Sequence, residues 1–173
     1  MKTFFTVDRT GTLAPEKEIS LQHYQDISPS HFQDHVDALY PQGLSFHGER
    51  YLLRAGSNSN LSSPAIELLF EYIRRSNFID SPSRFECFFA CESVEDAISF
   101  RNEFGNPDQK TYEVQNYGLS HRYNMRLLHN SSSILYRSYA AHQYWLGNQG
   151  VPSLGEFWEI LLTLPVRISR EVK

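Results

Sequence analysis

Apolar and polar positions recur along the chain with spacings that predict most of its elements. Phe4-Phe5-Thr6-Val7 is a short apolar run closed by Asp8-Arg9-Thr10-Gly11, and it predicts a first strand. Thr12 to Ser30, with Pro15 and Pro29, predicts a loop-rich connection holding a short strand near Ile19-Ser20-Leu21. His31 to Leu39 predicts a helix capped by Ser30 and stopped by Pro41 and Gly43. After a loop at Gly56-Ser57-Asn58-Ser59-Asn60, the residues Ile66, Leu69, Phe70 and Ile73 fall at i, i+3, i+4 and i+7, one apolar helical face. Ser63 supplies an N-cap, Pro64 suits the first helical position, and Arg74-Arg75 complement the helix's negative end.

Pro82-Ser83-Arg84 then leads into an apolar strand from Phe85 to Cys91. Ser93 caps the next helix, with Asp96 three residues on, Ala97, Ile98 and Phe104 facing inward, and Gly105 as the stop. Strands are predicted at Thr111 to Gln115 and at His121 to Leu128, where Tyr123, Met125 and Leu127 alternate with Arg122, Asn124 and Arg126. Ile134 to Leu146 predicts a helix, a glycine-rich loop follows, and Glu156 to Ile168 predicts a final strand or hairpin arm. Strands and helices do not alternate regularly, which predicts an α+β fold with a largely antiparallel, split β-sheet and flanking helices. At 173 residues the chain is read as a single domain over 1–173.

Composition narrows the function classes. Hydrophobic residues at 40% and charged residues at 21% suit a folded domain rather than a disordered chain. No stretch approaches the roughly 18 apolar residues of a membrane span, so no membrane partner is expected. Asp8 arrives too early for a signal-peptide core. Cys87 and Cys91, on one face of a strand, would stand about 13 Å apart, beyond the roughly 7 Å Cα reach of a disulfide. Two free, buried thiols fit a cytoplasmic protein. His31 and His35 stand one helical turn apart with no identifiable third ligand, so no metal site is expected.

Charge is unevenly distributed. The net charge of −4 divides into −7 over residues 1–113, +3 over 114–155 and zero over 156–173. The middle segment holds no acid, carries Arg122, Arg126 and Arg137, and interleaves them with five tyrosines and Trp145. Such a segment suits either contact with phosphates and bases of single-stranded RNA or DNA, through Arg122 and Arg126, or a tyrosine-rich core layer.

Walker, dinucleotide-fold, zinc-protease and nucleophile-elbow motifs are absent. The feature that stands out is Glu159, an acid inside the apolar run Phe157-Trp158-Glu159-Ile160-Leu161-Leu162. Burying a carboxylate costs several kcal/mol unless it is partnered or neutralised. Glu159 therefore either faces water at a sheet edge or has a function.

Three segments together resemble the signature of the ADP-ribosyltransferase fold: Phe4-Phe5-Thr6-Val7-Asp8-Arg9; Ser83-Arg84-Phe85 with Phe88-Phe89-Ala90; and Trp158-Glu159-Ile160-Leu161-Leu162. In size the chain is similar to small bacterial toxins that modify nucleic acid. The resemblance implies an NAD-dependent transferase with Glu159 as the catalytic acid. NAD, as substrate, would be held by Arg9, Ser83 and Arg84, with Arg54 as a second phosphate-binding candidate. It further implies RNA or DNA as acceptor, an intracellular role as toxin or phage-defence effector, and a neutralising antitoxin as partner. Phe157 stands where arginine-modifying relatives carry an extra acid, which points away from protein arginine. Two other readings stay open: a non-enzymatic binding or immunity-type protein on an eroded version of the fold, and an RNA 2′-phosphotransferase-like enzyme.

Overall fold

The computed structural model of the chain describes residues 2–55, 62–129, 133–150 and 152–172, so the predicted loop at 56–60 lies outside the described residues. The fold is α+β with antiparallel sheets. Its residues gather into two compact units built from interleaved segments. Unit 1 comprises Met1–Ser20, Phe88–Arg122 and Trp158–Lys173; unit 2 comprises Leu21–Cys87 and Tyr123–Phe157. Among the described residues no helix is long and apolar enough to cross a membrane.

In unit 1, strand β1 (Lys2–Val7) pairs antiparallel with β4 (Thr111–Asn116), placing Phe4 opposite Val114. Next to β4 lies β7 (Val166–Val172), and the two-residue β2 (Glu18–Ile19) closes this four-stranded sheet. A second sheet has the order β3 (Cys87–Ala90), β6 (Trp158–Thr163), β5 (Ser120–Asn124). Phe5 exchanges backbone hydrogen bonds with Cys91, so β1 adjoins the residue that follows β3. Side chains alternate along a strand. Ile160 and Leu162 of β6 therefore enter one core with Phe4, Ala90 and Val114. Helix α4 (Val94–Phe104) packs on β1 with Ala97 fully buried, and its Ser93 cap accepts the Asp96 N–H at 3.0 Å, as predicted.

Unit 2 is helical: α1 (Ser30–Leu39), a single turn α2 (Phe46–Gly48) that runs into a π-helical turn at Glu49–Leu53, α3 (Ser62–Asn77) and α5 (Ile134–Trp145). The predicted apolar face of α3 is realised against α5: Phe70 meets Tyr144 edge-on at 5.4 Å, and the Trp145 indole N–H donates to the Phe70 carbonyl at 2.8 Å. Tyr123 stacks on Tyr144 at 4.6 Å. Tyr123, Tyr144 and Trp145 of the acid-free segment are thus core, whereas Tyr117 and Tyr139 are exposed.

Several predicted boundaries need correction. Helix α1 starts at Ser30, with Pro29 in the cap position and no side-chain cap bond. Helix α3 starts at Ser62, so Ser63 is not its cap. The strand predicted from Phe85 starts only at Cys87, because the Ser83 hydroxyl accepts the Phe85 N–H and winds Arg84–Glu86 into a 3-10 turn. The strand predicted over His121 to Leu128 ends at Asn124. The buried Asn124 carboxamide accepts from the Arg126 and Phe157 N–H groups and donates to the Gln149 and Gly155 carbonyls, and Met125–Leu128 turns as a 3-10 helix. Finally, Glu156 to Ile168 is neither one strand nor a hairpin arm. Pro165, with no N–H to give a ladder, divides it, and β6 and β7 enter different sheets.

Candidate functional site

Glu159 lies on β6, the middle strand of its sheet, and is 8% exposed. The sheet-edge alternative is therefore excluded. Alternation sets Glu159 and Leu161 on the face of β6 opposite Ile160 and Leu162, so the carboxylate points away from the unit 1 core. Its neighbour in unit 1 is Cys91, whose thiol is pushed up to about 12 by burial first and then by the negative charges of Asp96 and Glu159. Burial likewise raises the Cys87 thiol to about 12, and both cysteines are free.

Arg9 follows the end of β1 in a loop organised by Asp8. The buried Asp8 carboxylate accepts from the backbone N–H groups of Thr10, Thr12 and Leu13, which fixes the turn. Arg9 itself is exposed, with its guanidinium carbon 5.9 Å from the centre of the Phe100 ring on α4. Sequence reasoning took Asp8 only as a strand end. The signal available was an acid followed by Thr, Gly and Thr, the composition of a side-chain-stapled turn.

Ser83 and Arg84 are buried in unit 2 and are bonded to acids of α3. The Ser83 hydroxyl donates to Glu71 at 2.9 Å, and the same carboxylate receives Arg74 through two bonds and Arg75 at 2.7 Å. Arg84 forks onto Glu67 at 2.7 and 3.0 Å, donates to the Tyr144 hydroxyl, and lies 5.2 Å from the Tyr144 ring centre. His47 Nε2 stands 3.2 Å from the same Glu67 carboxylate. A bidentate pair with Glu67 removes Arg84 from water. The apolar periodicity of α3 leaves the face of Glu67 and Glu71 unmarked, and His47, on α2, is joined to Glu67 by no local pattern.

Arg54 is half-exposed at the end of the π-helical turn and pairs with Asp26 at 3.0 Å and Glu49 at 3.3 Å. The Tyr24 hydroxyl donates to the same Glu49 carboxylate, and its pKa is raised to about 12 by burial and by that bond. Arg122 belongs to unit 1. Its guanidinium carbon lies 3.9 Å from the Trp158 ring centre, and its Nε is 3.5 Å from Glu92. Arg126 is half-buried in unit 2, its guanidinium carbon 5.9 Å from the Phe157 ring centre.

The predicted site residues thus fall into separate clusters. Glu159, Arg9 and Arg122 stand in unit 1, whereas Ser83, Arg84, Arg54 and Arg126 stand in unit 2. Among the described residues no group of three or more His, Cys, Asp or Glu side chains has the arrangement of a metal site. No curated protein matches the chain. A family model described as "Protein of unknown function (DUF2441)" matches residues 3–173, and the chain belongs to that family.

Proposed function

We propose that the chain is an NAD-dependent ADP-ribosyltransferase that uses Glu159 as its catalytic carboxylate and RNA or DNA as acceptor. One observation carries the reading: a carboxylate buried on the middle strand of a sheet, on the face opposite the unit 1 core. Two further features support it. Strand β3, fed by Ser83-Arg84-Phe85, is the sheet neighbour of β6, and β1 reaches the end of β3 through the Phe5–Cys91 bridge. Phe4–Val7, Phe88–Ala90 and Trp158–Leu162 of the three segments thus lie on β1, β3 and β6.

The chemistry asks for such a carboxylate. Breaking the bond between nicotinamide and ribose develops positive charge on the sugar. A fixed negative group then stabilises the transition state more than the ground state. Glu159 accepts a hydrogen bond from a ribose hydroxyl and faces the developing cation. Arg9, exposed on a turn stapled by Asp8, offers a permanent planar cation to the diphosphate. Within unit 2, the bonds of Ser83 and Arg84 to Glu71 and Glu67 fix the turn Arg84–Glu86. Arg122, in unit 1 with Glu159, attracts the acceptor's phosphates.

Incubation with NAD labelled in its adenylate half, followed by separation of RNA, DNA and protein, tests the acceptor. Label in the RNA or DNA pool is expected. Label confined to protein contradicts the proposed acceptor, and no label in any pool contradicts the transferase.

A further inference from the structure

We propose that unit 1 holds a nucleotide-binding cleft on the side of β6 opposite Glu159. The cleft has a volume of about 350 Å3, inside the roughly 300–1,000 Å3 range of small-molecule sites. It lies where β1 and β5 begin, at one end of the two sheets. Phe4 and Ile160, both buried, give it an apolar base, and Lys2, Glu92, Ser120 and Arg122 supply polar groups. Alternation along the strands puts Lys2 on the face of Phe4 and Ser120 on the face of Arg122.

Arg122 is the residue that selects the ligand. Trp158 supports its guanidinium plane from one side, and Glu92 restrains its Nε end. A side chain held in this way loses little further freedom when a ligand arrives. It is still 49% exposed, so the plane remains accessible. A guanidinium plane is a stacking surface for a base, and its charge attracts phosphate. Burial lowers the pKa of His121, which also lines the cleft, and so disfavours its charged form. The lining then carries two cations, Lys2 and Arg122, against the single acid Glu92, which favours an anion. Glu92 can accept a hydrogen bond from a ribose hydroxyl or an exocyclic amine.

A nucleotide meets all of these requirements at once. Inorganic phosphate alone leaves the apolar base uncovered, and a nucleoside alone leaves the cations unused. The nucleotide can be a free nucleoside monophosphate or one residue of a single strand. The inference rests on the proposed function only for the second source, where the cleft would seat part of the acceptor. It needs no activity from Glu159.

The test is calorimetric titration of the full chain, without NAD, against AMP, adenosine, inorganic phosphate and a short single-stranded oligonucleotide. Saturable AMP binding is expected, with adenosine and phosphate each weaker by about tenfold or more. Arg122→Ala should weaken AMP by about tenfold or more, as for loss of a stacking partner. Arg122→Lys, which keeps the charge and loses the plane, should fall between. An oligonucleotide that binds tighter than AMP and weakens with salt assigns the cleft to a strand; equal affinity assigns it to a free nucleotide. No saturable binding of either overturns the proposal, as does unchanged affinity in both Arg122 variants. Intact AMP binding in a protein that cleaves no NAD counts against the transferase alone.

Discussion

Replacing Glu67 by alanine strips the partner from a buried arginine, and the structure sets the size of the effect. Glu67 holds Arg84 through bonds of 2.7 and 3.0 Å, with side-chain exposures of 9% and 5%. Breaking a buried pair in this way costs about 3–5 kcal/mol, because the remaining charge stays desolvated. Unfolding entropy of about 2.1 cal/mol/K per residue gives about 0.36 kcal/mol/K for this 173-residue chain, so the cost lowers Tm by about 8–14 °C. Calorimetry reads the Tm, and urea unfolding followed by circular dichroism reads the free energy. Changing both partners to methionine removes the stranded charge, and this double variant should recover about half or more of the loss. A Glu67→Ala cost below about 1 kcal/mol, the value of an exposed pair, would refute the reasoning. So would a double variant no more stable than the single one.

The same pair predicts a pH dependence. Burial pushes the Glu67 carboxyl up, but the charges and hydrogen bonds of Arg84 and His47 outweigh it and hold the group well below the usual carboxylate range. A depressed folded pKa gives stability that is present above the unfolded value, about 4.3, and lost as pH falls below it. Wild-type stability should therefore drop more steeply below about pH 4 than that of Glu67→Gln; equal slopes contradict the assignment. The thiols give a simpler check. With Cys87 and Cys91 buried and both pushed up to about 12, a thiol reagent at about pH 8 should label neither in the folded chain and both after denaturation. Fast labelling of the folded protein contradicts their burial.

Periodicity made the helices and most strands legible. The i, i+3, i+4 spacing of Ile66, Leu69, Phe70 and Ile73 marks a helix because one face must meet a core, and Phe70 does so against Tyr144. The misread ends share a cause: a side chain intercepts the backbone. Asn124 takes the Arg126 N–H that a longer β5 would have carried and bonds three further backbone groups of the following segments, and Ser83 winds the start of β3 into a turn. An alternating pattern such as Tyr123, Met125, Leu127 carries no trace of that competition.

For the site, the sequence isolated Glu159 as an acid among apolar residues but left its exposure open, since a strand's place in a sheet depends on distant partners. Only the order β3, β6, β5 makes β6 central. Arg84 was visible as a charge, yet Glu67 lies 17 residues away on another element, and no local pattern joins them. The tyrosines of 114–155 show the same limit. Composition could not separate Tyr123 and Tyr144, stacked in a core, from Tyr117, which is exposed.

The most direct test of the account is the release of nicotinamide from NAD by the wild-type chain and by Glu159→Gln, with the Tm of both measured. The wild type should release nicotinamide and the variant should do so about 10²-fold or more slowly, at a Tm that shows both are folded. Equal rates, or no release by the wild-type chain with nucleic acid present, would contradict it.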